Sequence, residues 1–140
     1  MRLLTILIGI GLAVVLAAAR GDAPDWVDLS AGDYACGMDV AADAAGNLYV
    51  AGGFSGTVRF GEHELTGGGA RRNANDLFLV SYDPAGRVRW AVQGRGEGDD
   101  WGLFLAAGRS GIFLAGFAGG TLELGEIGRA SCRERVCLYV

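Results

Sequence analysis

The chain contains no lysine, and all 12 of its basic residues are arginine. It also has a single histidine, two prolines and three cysteines in 140 residues. Each shortage narrows the chemistry. Between Arg20 and Gly125 there are 8 Arg against 14 Asp and Glu, a net charge of −6, so no basic face is available to neutralise phosphates and nucleic-acid binding is disfavoured. The lone His63, between Glu62 and Glu64, offers neither a histidine-rich metal site nor a Ser-His-Asp arrangement and reads as an exposed loop residue. Cys36 is the only thiol in the same stretch. One thiol cannot form an internal bridge in an exported protein, so Cys36 reads as a small buried apolar residue. Helix signals are missing after the first 19 residues.

What is present starts with a leader. Residues 1–19, MRLLTILIGIGLAVVLAAA, carry one Arg and then an uncharged apolar run that closes on three alanines. That is the pattern of an export signal with a small-residue cleavage site, and it predicts a helical leader lost after Ala19. The rival reading is an uncleaved anchor, since the 17 residues Leu3 to Ala19 are borderline for a hydrocarbon core of about 30 Å. A secreted, periplasmic or cell-surface location follows, with membrane contact only through this segment. At the other end, the Gly-rich pattern stops at Glu126. EIGRASCRERV, residues 126–136, resembles the translated read-through of a sequencing-library adapter, against the alternative of a genuine basic tail. On that reading residues 126–140 are non-native, and Cys132 and Cys137 carry no chemistry.

Between the ends the sequence repeats. DVAADAAGNLYVAGGFSGTVRFG, Asp39 to Gly61, returns in weaker form as LAAGRSGIFLAGFAGGTLELG, Leu105 to Gly125. Gly46 falls on Gly111, Ala51-Gly52 on Ala115-Gly116 and Gly56-Thr57 on Gly120-Thr121, an offset of 65 residues dropping to 64 across a gap near Asn47. After a lead-in over residues 20–36, a first repeat spans about 37–100 and a partial second about 101–125. A unit of this size, built of short strands and Gly-rich turns, cannot cover its own apolar face and must stack on its neighbours.

Alternation and turn chemistry place four main strands in the first repeat, about 38–42, 47–53, 77–82 and 87–93, with 57–60 as a short fifth strand or part of a connection. Asp43 to Gly46 and Asp83-Pro84-Ala85-Gly86 are the turns. Each opens on an Asp that can bond its own backbone, Pro84 presets φ, and Gly46 and Gly86 accept positive φ. Residues 61–75 have no apolar period and read as an exposed loop. The return strand is expected to put Val88, Trp90 and Val92 on one face. That face and the edge at Leu122 to Leu124 are left without a neighbour, which favours association over monomeric folding.

The order D-x-x-G-N-x-Y-V-x-G at 43–52, F-S-G-T at 54–57, F-G at 60–61, Y-D-P-x-G at 82–86, W-A at 90–91 and G-D-D at 98–100 resembles the bacterial secreted β-propeller repeats described as seven-bladed. The likeness runs over about Ala31 to Gly125. It implies an all-β fold of four-stranded antiparallel blades, about one and a half of them here, and an extracytoplasmic location. The family brings no catalytic residues. The second copy departs from the pattern, with Gly108 at the Asp43 position and the Asn deleted.

Candidate chemistry is thin. Glu97, Asp99 and Asp100 cluster as weak calcium candidates, although the spacing fits no EF-hand and acids at a turn also serve to keep sheet edges apart. Arg71-Arg72 could grip an acidic group or simply be solvated. Trp90 and Trp101 suit the space between blades better than a stacked sugar. Asp83, Gly86 and Trp90 also resemble the D-x-x-G-x-x-x-W element of quinone-dependent dehydrogenase propellers. That element has Thr before its Gly and a cation after it, and here only Arg87 agrees. The reading is therefore a non-catalytic scaffold that binds an unknown protein or polysaccharide through its loops, with the quinoprotein as alternative and no cofactor assigned.

Overall fold

In the computed structural model, residues 33–67, 74–108 and 111–125 are described in full, and the backbone alone at 8–9, 12–13, 31–32, 128–131 and 136–139. The described residues are all-β and antiparallel, with no α-helix among them. Most of the leader lies outside them. The four leader residues that are described, Ile8–Gly9 (β1) and Leu12–Ala13 (β2), form a short antiparallel pair, so the helix expected there is not found at those positions.

The body begins with Ala31–Ala42 (β3) and Leu48–Phe60 (β4), followed by the short hairpin strand His63–Thr66 (β5). Asp76–Tyr82 (β6) and Val88–Arg95 (β7) complete a meander in which β3, β4, β6 and β7 are successive antiparallel neighbours. Asp100–Gly108 (β8) and Gly111–Ala118 (β9) form a second hairpin, and Thr121–Leu124 (β10) leaves it to pair with β7. Gly128–Ser131 (β11) then pairs with β10, and Val136–Tyr139 (β12) with β9. One seven-stranded sheet therefore runs β11-β10-β7-β6-β4-β3 with β5 beside β4, and a three-stranded sheet runs β12-β9-β8. The two do not close into a ring among the described residues.

The central strands read as continuous apolar runs because the first sheet is covered on both sides, as buried strands require. On one face Leu48, Val50, Phe54, Phe78, Val80 and Tyr82 pack with Val58, Phe60 and Leu65 of the β4–β5 hairpin. Phe78 sits at the centre of that face, with the Phe60 ring 4.9 Å and the Phe54 ring 6.4 Å from its own. On the other face Tyr49, Ala51, Leu77 and Leu79 meet Ile112, Leu114 and Ala118 of the second sheet, joined by Leu122 and Leu124.

Four expectations change. β3 starts at Ala31, so six residues of the lead-in are strand. The 57–60 run is the end of β4, and His63 stands in β5, paired with Phe60, because the chain reverses at Gly61 (φ 55°). Val88 does not share a face with Trp90 and Val92. A bulge opposite Ser81 and Tyr82 shifts the register by one residue, so Val88 joins the Phe78 face while Trp90 and Val92 join the Leu79 face. Finally, Leu122 and Leu124 are buried, in a strand paired on one side with β7 and on the other with β11.

The bulge in the middle of β3 has a twin. In β3 the register shifts between Gly37 and Asp39, and a Cβ on the facing Gly52 would stand 1.9 Å from the Cys36 carbonyl oxygen. In β8 it shifts between Gly102 and Phe104, and a Cβ on Gly116 would stand 2.0 Å from the Trp101 carbonyl oxygen. Only glycine permits that approach. Cys36 itself is buried beside this bulge with its thiol unbridged, as expected.

Candidate functional site

The polar side chains gather at the two ends of the first sheet. At one end lie the paired turns. Asp43 Oδ1 accepts the backbone N–H groups of Ala45 and Asn47, both at 2.9 Å, while Oδ2 accepts the Asn47 side-chain amide at 2.8 Å and the Tyr49 hydroxyl at 2.9 Å. Asp83 repeats the arrangement, its Oδ1 accepting from Ala85 and Arg87 at 2.9 and 3.0 Å and its Oδ2 from Arg87 Nε at 2.7 Å. Gly46 (φ 83°) and Gly86 (φ 82°) close the two turns in the left-handed region, and the Pro84 ring comes within 3.5 Å of where a Gly46 Cβ would stand.

Both turn carboxyls are held below the usual carboxylate range, Asp43 chiefly by the Asn47 side chain and Asp83 chiefly by the Arg87 backbone N–H. Burial raises the Tyr49 hydroxyl, and its bond to Asp43 adds to this. Arg89 reaches across to the Tyr49 hydroxyl at 3.4 Å and Ser81 Oγ at 3.3 Å, and Trp90 lies 6.0 Å from the Tyr49 ring. The acceptors of Asp43 and Asp83 are spent on their own turns. Asp83, Gly86 and Trp90, the three residues shared with the quinoprotein element, are thus a turn capped by its own acid and an indole set against Tyr49.

The opposite end is different, because there the connection after β5 meets the connection between β7 and β8. Asn75 donates its backbone N–H (2.9 Å) and its side-chain amide (3.2 Å) to Asp99 Oδ1, and its carbonyl accepts the Asp100 N–H at 2.8 Å. Gln93 Nε2 bridges Asp76 Oδ2 at 2.7 Å and the Thr66 carbonyl at 2.9 Å. Asp76 and Asp100 are both buried. Asp100 Oδ1 accepts the Gly119 N–H at 3.0 Å, while Oδ2 lies over Gly96 with no hydrogen-bond partner. Desolvation, reinforced by the charges of Asp76 and Asp99, pushes the Asp100 carboxyl up to about 6 even though the Gly119 N–H pulls the other way.

Of the three acids picked from the sequence, Asp100 is therefore buried, Asp99 is engaged by Asn75, and Glu97 is exposed, with its carboxyl beside Gly120. They lie together at this end but do not converge on one point. Among the described residues no three His, Cys, Asp or Glu side chains are placed to hold a metal ion. Arg71 and Arg72 lie outside the described residues. The Trp101 ring passes over Gly53, its Cε3 2.5 Å from where a Cβ would stand, and so joins the two sheets.

Sequence reading missed Asp76, Gln93 and Asn75. Their signal is faint: Asp76 is the one charge directly ahead of the Leu77 to Val80 run, where a buried acid needs a partner from elsewhere in the chain. No protein-family model, curated protein or solved structure matches the chain.

Proposed function

We propose that the chain is a non-catalytic scaffold of the exported β-propeller-repeat type, a stack of antiparallel units that presents its loops to a protein or polysaccharide partner. The observation that carries this is the correspondence of the two hairpins. The bulge at Gly37 to Asp39 facing Gly52, and the bulge at Gly102 to Phe104 facing Gly116, stand 65 and 64 residues apart, the same offsets that align the sequence with itself. Two unrelated hairpins would have no reason to share a bulge, a glycine and a spacing. The units also stack through their apolar faces, as units that cannot cover themselves must.

The end where Asn75, Gln93, Asp99 and Glu97 cluster is the face offered to a partner. Connecting segments carry recognition on a rigid sheet scaffold, and the opposite end is taken up by turns bonded to themselves. Export through the leader fits this role. The full chain incubated with a quinone cofactor, a panel of alcohols and aldoses as electron donors, and a reducible dye is the test of class. No dye reduction is expected, and turnover would replace the scaffold with the quinoprotein.

A further inference from the structure

Asp100 stands where the first unit has an alanine. In the ladders Ala35 pairs with Phe54 and Asp100 with Ala118, at the offsets of 65 and 64 that relate the two hairpins, so Asp100 is the counterpart of Ala35. A buried methyl group satisfies this position in the first unit. The second unit puts a fully buried carboxyl there and gives it one hydrogen bond: Oδ1 accepts the Gly119 N–H at 3.0 Å, and Oδ2 has no partner. A carboxylate buried with an empty acceptor is costly, and a neutral carboxyl much less so.

The bond to Gly119 has a counterpart as well. In the first unit the turn at Gly56 is held by the exposed Asp33, whose Oδ2 accepts the Thr57 N–H at 3.0 Å. Gly98 stands at the Asp33 position of the second unit, and the holding acid has moved two residues on, into the interior. There the β7–β8 connection packs backbone to backbone on the β9–β10 turn, with the site of a Gly119 Cβ 2.8 Å from Gly98 Cα. The Asp100 N–H ties the same corner to the Asn75 carbonyl at 2.8 Å. The charges that act on the carboxyl are Asp76 from β6 and Asp99 from the connection, both acidic, and among the described residues no other charge does so. Glu97 lies beside Gly120, and Arg95 at the end of β7 is turned to the Thr66 carbonyl and Gln93. Burial and like charge thus both favour the neutral form, in line with a carboxyl pushed up to about 6.

We propose that Asp100 is a proton-operated latch on the corner where the start of β6, the β7–β8 connection and the β9–β10 turn meet. Neutral, its carboxyl stays seated over Gly96 and holds Gly119; ionised, it leaves for water and frees the turn. The end of the sheet that carries Asn75, Glu97 and Asp99 then has a closed form in mild acid and a more open one at neutral pH. The span from 3.8 to about 6 limits the change in opening to about 100-fold. That this end faces a partner rests on the scaffold reading above, whereas the latch concerns the chain alone.

The test follows amide exchange of the full chain in low urea at about pH 4.5 and about pH 7.5, each rate taken relative to that of an unfolded chain at the same pH. Gly119 should exchange through a local opening, with a shallow urea dependence beside the steep one of Leu79, and its protection should fall by up to about 100-fold at the higher pH. Asp100→Asn, neutral throughout, should remove that change. Gly96→Ala puts a methyl 2.2 Å from Asp100 Oδ2, in the seat of the carboxyl, and should leave Gly119 open at both pH values with Leu79 still protected. Gly119 exchange as steep in urea as that of Leu79, or as pH-dependent in Asp100→Asn as in the parent, overturns the latch. So does a Gly119 that stays protected in Gly96→Ala at the lower pH. Calcium chloride that restores Gly119 protection at the higher pH makes a divalent cation, not a proton, the partner of Oδ2 and overturns the proposal. Each of these failures leaves the correspondence of the two hairpins, and with it the scaffold reading, standing.

Discussion

Asp39 Oδ2 accepts the backbone N–H of Leu105 at 2.7 Å, across the gap between the two sheets. Among the described residues β8 has only β9 beside it, so N–H groups on its outer side find no ladder partner there. An acid from β3 fills one of those places, 66 residues away in the chain. The apolar contact of Ala51 and Leu79 with Leu114 brings the sheets together without direction, and this bond fixes where along the strand they meet.

Replacing Asp39 by Ala should therefore cost about 1–3 kcal/mol, the range for stranding a charge-assisted partner. Asp39→Asn, which keeps an acceptor, should cost less. Urea midpoints of the full chain rank the three proteins, and equal midpoints for Ala and Asp would remove the bond from the account.

Gly52→Ala and Gly116→Ala should each destabilise by on the order of 1–3 kcal/mol, because the new methyl has to displace a carbonyl oxygen about 2 Å away. Gly37→Ala is the control. Its methyl would meet Val50 Cγ1 at 3.4 Å, close to ordinary contact. Thermal unfolding of the three variants should separate the first two from the third.

Stability should fall as pH rises through the Asp100 transition. The folded carboxyl titrates at about 6, above its ordinary 3.8, so the folded chain holds the proton more tightly than the unfolded one. The contribution is fully present below pH 3.8 and is lost as pH passes through 6, with a ceiling of about 3 kcal/mol for a shift of this size. Asp100→Asn should flatten the dependence between those limits in urea titrations, and an unchanged slope would assign it to other groups. Asp43 acts with the opposite sign. Its lowered value gives stability that is present above its ordinary titration and lost as acid protonates the turn.

N-terminal sequencing of the exported product should begin at Arg20. Met1 retained in a membrane fraction would make the leader an anchor.

The turns at Asp43 and Asp83 were legible in the sequence because their chemistry is local: an acid, two or three bonds to the next four residues, and a glycine. The strand pattern was legible for the same reason, and so was burial of Cys36. The bulge before Trp90 was not. One extra residue moves Val88 to the other face without altering composition, so alternation alone assigns the wrong side. The burial of Asp76 and Asp100 was equally hidden, since it depends on two connections meeting that lie far apart in the chain. At the candidate site the sequence found Glu97, Asp99 and Asp100 but not Asp76, and could not tell which of them faces solvent.

Amide hydrogen exchange on the full chain tests whether the second hairpin is a unit stacked on the first. Leu105 and Leu114, in the second sheet, should exchange with the same opening free energy as Val50 and Leu79 in the first, because losing the shared Ala51–Leu114 interface exposes both. Exchange of β8 and β9 at the rate of an unfolded chain, with β4 and β6 still protected, would mean that the sheets fold without one another and would contradict it.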